Sequence, residues 1–189
     1  MTQPFNSTIT NKEDEYKEGL VFGVEKRELN EDYRVRSLQN DGKDLYLLHR
    51  LITELEDCNT LFFCPSNIST YRSLVSSDLG GVLGAFKRDK LVGFSTYEIR
   101  PFKSNIADKY GLDKDAVSSY LQLVESATLE DHRGNGIQYK FIEERINIAR
   151  DEPVDAVIAY SDKHNCYSRR NLFNCGLIER RPRYFSHVF

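Results

Sequence analysis

Leu121-Gln122-Leu123-Val124-Glu125-Ser126-Ala127-Thr128-Leu129, then Glu130-Asp131-His132-Arg133-Gly134-Asn135-Gly136, then Ile137-Gln138-Tyr139-Lys140-Phe141-Ile142 form the stretch that decides this fold. The first part is a mostly apolar run with Ser and Thr mixed in, which predicts a strand. The second part breaks it with two glycines. From Ile137 onward, Ile137, Phe141, Ile142, Ile146 and Ala149 recur at helical spacing until Pro153 stops them. Glycines directly after a strand let backbone approach a ligand closely. The first N–H groups of the helix that follows have no helical partner and carry a partial positive charge. Strand, glycine turn and helix N-terminus together make a cradle for an anion, most often a phosphate or pyrophosphate. Arg133 adds a fixed positive charge at its rim. The Arg-Gly-x-Gly string alone is a weak signal, since a tight turn with one solvated arginine reads the same way. Its setting and a second motif downstream carry the argument.

The rest of the composition narrows the class. With 189 residues, 40% apolar and 12% aromatic, the chain is long enough for one domain with a real core. A net charge of −3 argues against a nucleic-acid clamp or a broad membrane-binding face. Cys58, Cys64, Cys166 and Cys175 form no CxxC pair, and no histidine stands at zinc spacing from them. Free thiols in a reducing compartment, and no metal, are expected. The polar, acidic first residues do not read as a signal peptide, and no run is long enough to span a bilayer. These features predict a soluble, cytoplasmic protein.

Taken in order, residues 1–19 are polar, with Glu13-Asp14-Glu15, and read as a loose lead-in. Residues 20–189 read as a single domain. Leu20-Val21-Phe22-Gly23-Val24 suggests an extra edge strand. Residues 33–38 alternate as a half-exposed strand, and Leu45, Leu48, Leu51, Ile52 and Leu55 line one face of a helix over 43–56. Cys58 to Pro65 reads as a loop. Ser66 or Asn67 can cap a second helix to about Ser76. Residues 82–86 and 91–97 flank Lys87-Arg88-Asp89-Lys90 as an antiparallel hairpin. Residues 101–115 are a polar excursion with room for one short helix, in a place natural for an active-site loop. After the central unit come a strand over 154–160, a helix over 168–175 closed by Gly176, and a last strand over 184–189. The meander followed by a βαβ unit predicts an α+β protein, layered α/β/α. Its sheet is mixed, mostly antiparallel and six- to seven-stranded, with helices on both faces.

This order and two motifs resemble the GNAT superfamily of acyl-CoA N-acyltransferases. The family's main fingerprint is Gln/Arg-x-x-Gly-x-Gly/Ala between the fourth strand and the following helix. Here the window is Asp131-His132-Arg133-Gly134-Asn135-Gly136, in which both glycines match and Asp131 replaces the opening Gln/Arg. The family's second signature is an Asn after the fifth strand with a small residue three positions on and Gly-aliphatic beyond. Asn165, Ser168, Gly176 and Leu177 stand at those offsets. The resemblance covers about residues 32–185. It implies acetyl-CoA as co-substrate, with its pyrophosphate on the N–H groups of Arg133, Gly134, Asn135, Gly136 and Ile137. It implies that pantetheine pairs with the backbone of Ser126, Ala127 and Thr128, between fourth and fifth strands that splay apart. Asn165 and Ser168 would hold the other side. The implied reaction is direct attack of an amine on the thioester.

Many family members carry a Tyr seven residues after the Asn, where it protonates the departing thiolate; here that position is Leu172. The acid is then another group, water, or none. Tyr167 and Tyr120 are candidates, each also plain packing material. Glu125, on the strand beside the thioester, is the first candidate to take the amine's proton; Gln122, Glu98 and His164 follow. A backbone N–H near Ala127 suits a developing oxyanion. Phe62, Phe63 and the 101–115 excursion are expected to line the acceptor cleft. Arg169 and Arg170 can reach a CoA 3′-phosphate or simply face solvent, and Arg180-Arg181-Pro182-Arg183 reads as a solvated edge. Cys166 lacks a histidine–carboxylate pair and is not read as a nucleophile. The expected activity is acetyl transfer to a primary amine of a small molecule or peptide. The alternative is a catalytically weak or inactive acyl-CoA-binding sensor or scaffold. An edge strand at the C-terminus would suit a homodimer.

Overall fold

The computed structural model describes residues 28–57 and 66–189. The strand expected over 20–24 and Phe62 and Phe63 lie outside them. Strand β1 (Tyr33–Ser37) leads into helices α1 (Gly42–Asp57) and α2 (Ile68–Val75). A meander follows: β2 (Gly80–Lys87), β3 (Lys90–Pro101) and β4 (Ser119–Thr128), with helix α3 (Ser104–Tyr110) between the last two. Then come α4 (Ile137–Asp151), β5 (Ala156–Tyr160), α5 (Cys166–Asn174), β6 (Ile178–Arg181) and β7 (Tyr184–Val188). The seven strands form one sheet in the order β1-β2-β3-β4-β5-β7-β6. Only β4 and β5 pair in parallel, because α4 carries the chain back across the sheet between them.

The elements follow from local chemistry. Asn67 caps α2 by accepting the Thr70 N–H at 3.0 Å, leaving Ser66 for another partner. The 101–115 excursion holds α3, closed by Gly111 at φ +61°. Ile178–Arg181, between Gly176 and the last strand, forms β6. One expectation is overturned: the C-terminal strand β7 is internal, paired with β5 on one side and β6 on the other. It sits there because its apolar Phe185 is fully buried in the core, whereas β6 is mostly exposed and takes the edge.

The faces can be read from contacts. Tyr71 of α2 packs edge-on against Phe94 of β3 at 5.2 Å. Tyr97, three residues along β3, lies on the opposite face with Ile142 and Ile146 of α4. Leu121, Leu123, Val157 and Ala159 join that α4 cluster, together with Leu172 of α5. Tyr120, Ala156 and Ile158 point the other way, under Tyr110 of α3. So α4 and α5 cover one face, and α2 and α3 cover the two ends of the other. Burying each large apolar side chain contributes about 1.5–3 kcal/mol. Among the described residues, no helix is long and apolar enough to cross a membrane.

Candidate functional site

The site begins where β4 leaves β5. Their parallel pairing runs from Tyr120–Ala156 to Leu123–Ala159 and stops there. Among the described residues, β4 continues to Thr128 with β3 on one side only. The second half of β4 therefore presents Ser126, Ala127 and Thr128, all half-buried, along an edge that β5 does not cover.

At the top of that edge a 3-10 turn, Glu130–His132, leads to the glycines. Gly134 and Gly136 adopt φ +81° and +76°, a left-handed backbone that glycine adopts without a Cβ penalty. Gly136 opens α4 with no side chain capping the helix, and the first turn holds no acidic residue. The first backbone bond of α4 is from the Lys140 N–H to the Gly136 carbonyl at 3.0 Å. The N–H groups of Ile137, Gln138 and Tyr139 precede it. Asn135 shapes the turn from inside: its amide donates to the carbonyls of His132 (3.1 Å) and Arg133 (3.2 Å). Its own carbonyl accepts the Asn30 N–H at 3.2 Å. Exposed Arg133 reaches back, its Nε 3.3 Å from the Thr128 carbonyl, and so joins the turn to the strand. His132 bonds the Tyr33 hydroxyl through Nδ1 at 3.0 Å. Desolvation, then Lys90 and Lys87, lower the pKa of that imidazole, which favours its neutral form. Asp131 is exposed in the 3-10 turn.

Glu125 is half-buried and engaged. Its two carboxylate oxygens accept from the Ser66 hydroxyl and the Tyr71 hydroxyl, each at 2.5 Å. Tyr71 in turn accepts the Ser66 N–H at 2.9 Å. Burial first, and Glu125 second, push the Tyr71 pKa up, so this phenol stays a donor. Among the described residues no cation pairs with Glu125; two hydroxyls orient it at the start of α2. Neither Tyr71 nor Ser66 was expected there. The one signal was a tyrosine in the buried stripe of α2, whose hydroxyl needs a partner.

The other candidates scatter. Glu98 stands opposite Gln122 across β3 and β4 and is held by Arg100. Tyr120 is buried against Phe102. Asn165 caps α5, its side chain accepting the Ser168 N–H at 3.1 Å, which brings that pair to the side of the sheet where β5 ends. Tyr167, one residue into α5, is 79% exposed. Leu172 is core. Asn171 ties α5 to the first turn of α4 by donating to Gln138 at 2.8 Å. Arg169 forms a two-pronged pair with Glu179 at 2.9 and 2.6 Å and lies over Phe185. Cys166 is exposed, as is His164 in the loop after β5. Among the described residues, no group of three or more His, Cys, Asp or Glu gathers as a metal site.

No family model and no curated protein matches the sequence. Solved structures do resemble the chain. Arabidopsis thaliana NAA60, in complex with acetyl-CoA, is 17% identical at a TM-score of 0.65, over 83% of this chain and 99% of that one. The GNAT domain of S. lividans PAT is 15% identical at 0.63, over 83% and 90%. The aminoglycoside acetyltransferase meta-AAC0020, from an uncultured soil metagenomic sample, is 17% identical at 0.58, over 79% and 90%. Strand order, the divergence of β4 from β5 and these likenesses agree: the chain has the fold of the GNAT superfamily of acyl-CoA N-acyltransferases.

Proposed function

We propose that this chain transfers the acetyl group of acetyl-CoA to a primary amine of a small molecule or peptide by direct attack. One observation carries the reading: the uncovered edge of β4 runs straight into a glycine turn whose helix N-terminus has no side-chain cap and no acidic residue. Those residues fit the group. The N–H groups from Arg133 to Ile137 would take its pyrophosphate, with the Arg133 guanidinium alongside. The backbone of Ser126, Ala127 and Thr128 would pair with pantetheine, with Asn165 and Ser168 on the α5 side. Acetyl-CoA supplies an acetyl thioester, already activated toward an amine.

The remaining roles belong to side chains. An amine must be neutral to attack, and Glu125, oriented by Ser66 and Tyr71, takes its proton directly or through water. A backbone N–H near Ala127 takes the developing oxyanion. The proton for the leaving thiolate comes from solvent or from Tyr167, whose exposure favours solvent.

A second reading, an acyl-CoA-binding sensor or scaffold, draws support from Leu172, a core side chain with no proton to give. Thiol release with a panel of amines separates the two. Transfer is expected, with the product identified by mass; thiol release at background for every amine, with CoA bound, favours the sensor. CoA is expected to raise the melting temperature, and Arg133→Glu to abolish most of that rise. An unchanged rise in the variant places the phosphates elsewhere.

A further inference from the structure

The buried stripe of α4 holds one charge. Ile142 and Ile146 are core, and Arg145 sits between them at 2% exposure. A guanidinium taken out of water is costly unless hydrogen bonds replace its hydration. Among the described residues, no carboxylate lies within ion-pair range of it. Burial lowers its pKa, to about 9, which leaves it charged at neutral pH. Its Nε donates to the Phe141 carbonyl one turn back, and Nη1 donates across to the carbonyl of Thr96 on β3, both at 3.0 Å.

Thr96 marks an irregularity in the sheet. Ser95 pairs with Ser126 and Tyr97 with Leu123, so Thr96 alone faces both Val124 and Glu125. That is a β-bulge in β4. On its other side Thr96 pairs with Val82, whose carbonyl accepts the Leu38 N–H at 2.8 Å, away from β3. In an antiparallel ladder a residue turns both backbone groups to one side, so Thr96 turns its own toward β4, where the bulge interrupts the pairing. Arg145 donates to the Thr96 carbonyl from the α4 side at that interruption. Two hydroxyls complete the arrangement: Thr96 Oγ1 accepts the Glu125 N–H at 3.1 Å, and the Ser95 hydroxyl donates to the Glu125 carbonyl at 2.9 Å. Ser95 and Thr96 are as buried as Arg145.

The bulge decides where Glu125 points. With strict alternation Glu125 would share the face of Leu123, which lies in the α4 cluster. The extra residue shifts the phase, and the carboxylate reaches Ser66 and Tyr71 on the α2 face instead. We infer that Arg145 is a positioning residue: from the opposite face of the sheet it locks the β4 bulge that aims Glu125 into the α2 side of the cleft. The lock stands on geometry alone; its kinetic consequence rests on Glu125 taking the amine's proton.

Arg145→Met and Arg145→Lys test it, the second keeping a buried cation that reaches only one of the two carbonyls, should the first fail to fold. Amide exchange at Val124 and Glu125 should quicken about tenfold or more in either variant, with Leu121 unchanged. Turnover should fall about tenfold, with the Kd for acetyl-CoA within about twofold, and neither variant should slow a Glu125→Gln enzyme further. Unchanged exchange at Val124 and Glu125 overturns the lock. Equal losses of kcat with and without Glu125 overturn its route through Glu125. If Glu125→Gln alone leaves turnover intact, the proposed base falls, and amide exchange alone decides the lock.

Discussion

Residues 119–123 and 124–128 belong to one strand yet live under different rules. The first half pairs with β3 and β5, and Leu121 and Leu123 go into the α4 cluster. The second half is bulged, pairs among the described residues with β3 alone, and carries Glu125, Ser126 and Thr128. Full pairing on both sides makes a strand that holds the sheet together. Removing one neighbour leaves backbone groups that a ligand can take, and the bulge turns a carboxylate to the α2 face. The proposed site is thus made by withholding a partner strand.

Two substitutions at opposite ends of β4 should separate these roles, with effects in different quantities. Glu125→Gln keeps the size and the hydrogen-bonding reach but removes the proposed base. Turnover should fall about 100-fold or more, while the melting temperature and acetyl-CoA affinity barely move. Leu121→Ala opens a cavity at a fully buried position and should cost about 3 kcal/mol in denaturant unfolding. Per folded molecule its turnover should stay near that of the wild type. If Leu121→Ala abolishes turnover at full folding, or Glu125→Gln unfolds the chain, the division of β4 is wrong.

A third region sharpens the contrast, because it holds a polar cluster built on a buried carboxylate. Asp44, at 3% side-chain exposure, takes a two-pronged pair from Arg36 at 2.6 and 2.7 Å and the Gln39 N–H at 2.9 Å. Arg36 holds the Asp44 carboxyl below its ordinary pKa, against the opposing pull of burial. A carboxylate depressed in the folded state stabilises above its unfolded value, about 3.9. That contribution is lost as pH falls through the lower, folded value. Asp44→Asn should therefore cost about 2 kcal/mol at pH 7, the exposed side of Arg36 softening the loss of a buried pair. The gap from wild type should narrow in denaturant titrations below about pH 4, with turnover per folded molecule unaffected. A gap that persists unchanged into acid would mean that packing, not the ion pair, holds this corner.

What could be read from residues alone was what is local. Leu121, Leu123 and the helical spacing from Ile137 locate β4 and α4, and Gly134 and Gly136 mark the turn, because period and backbone freedom are properties of short stretches. The bulge at Val124 and Glu125 depends on Thr96 and Arg145, 29 and 20 positions away by number. Nothing within β4 announces it. Ser66 reads as a cap until Asn67 takes that role, and Tyr71 reads as core until Glu125 arrives at its hydroxyl. The place of β7 inside the sheet depends on a crossover that no stretch of 184–189 contains. Residues near one another in number made the turn legible; residues far apart hold Glu125 and support the proposed base.

The smallest effect tests the upper rim. Tyr167 lies one step into α5, beside Asn165 and Ser168, near enough in sequence to replace the tyrosine that Leu172 cannot be. Its 79% exposure argues otherwise. A proton donor works by holding its proton where negative charge develops, and a side chain mostly in water is not held. Solvent reaches the same place and carries protons of its own. Tyr167→Phe should therefore change turnover by less than about twofold, and the alkaline limb of the rate profile should stay where it is. A tenfold loss with that limb removed would show that Tyr167 closes over the thiolate once acetyl-CoA is bound, and that the outer half of β4 gains its partner from α5 rather than from water.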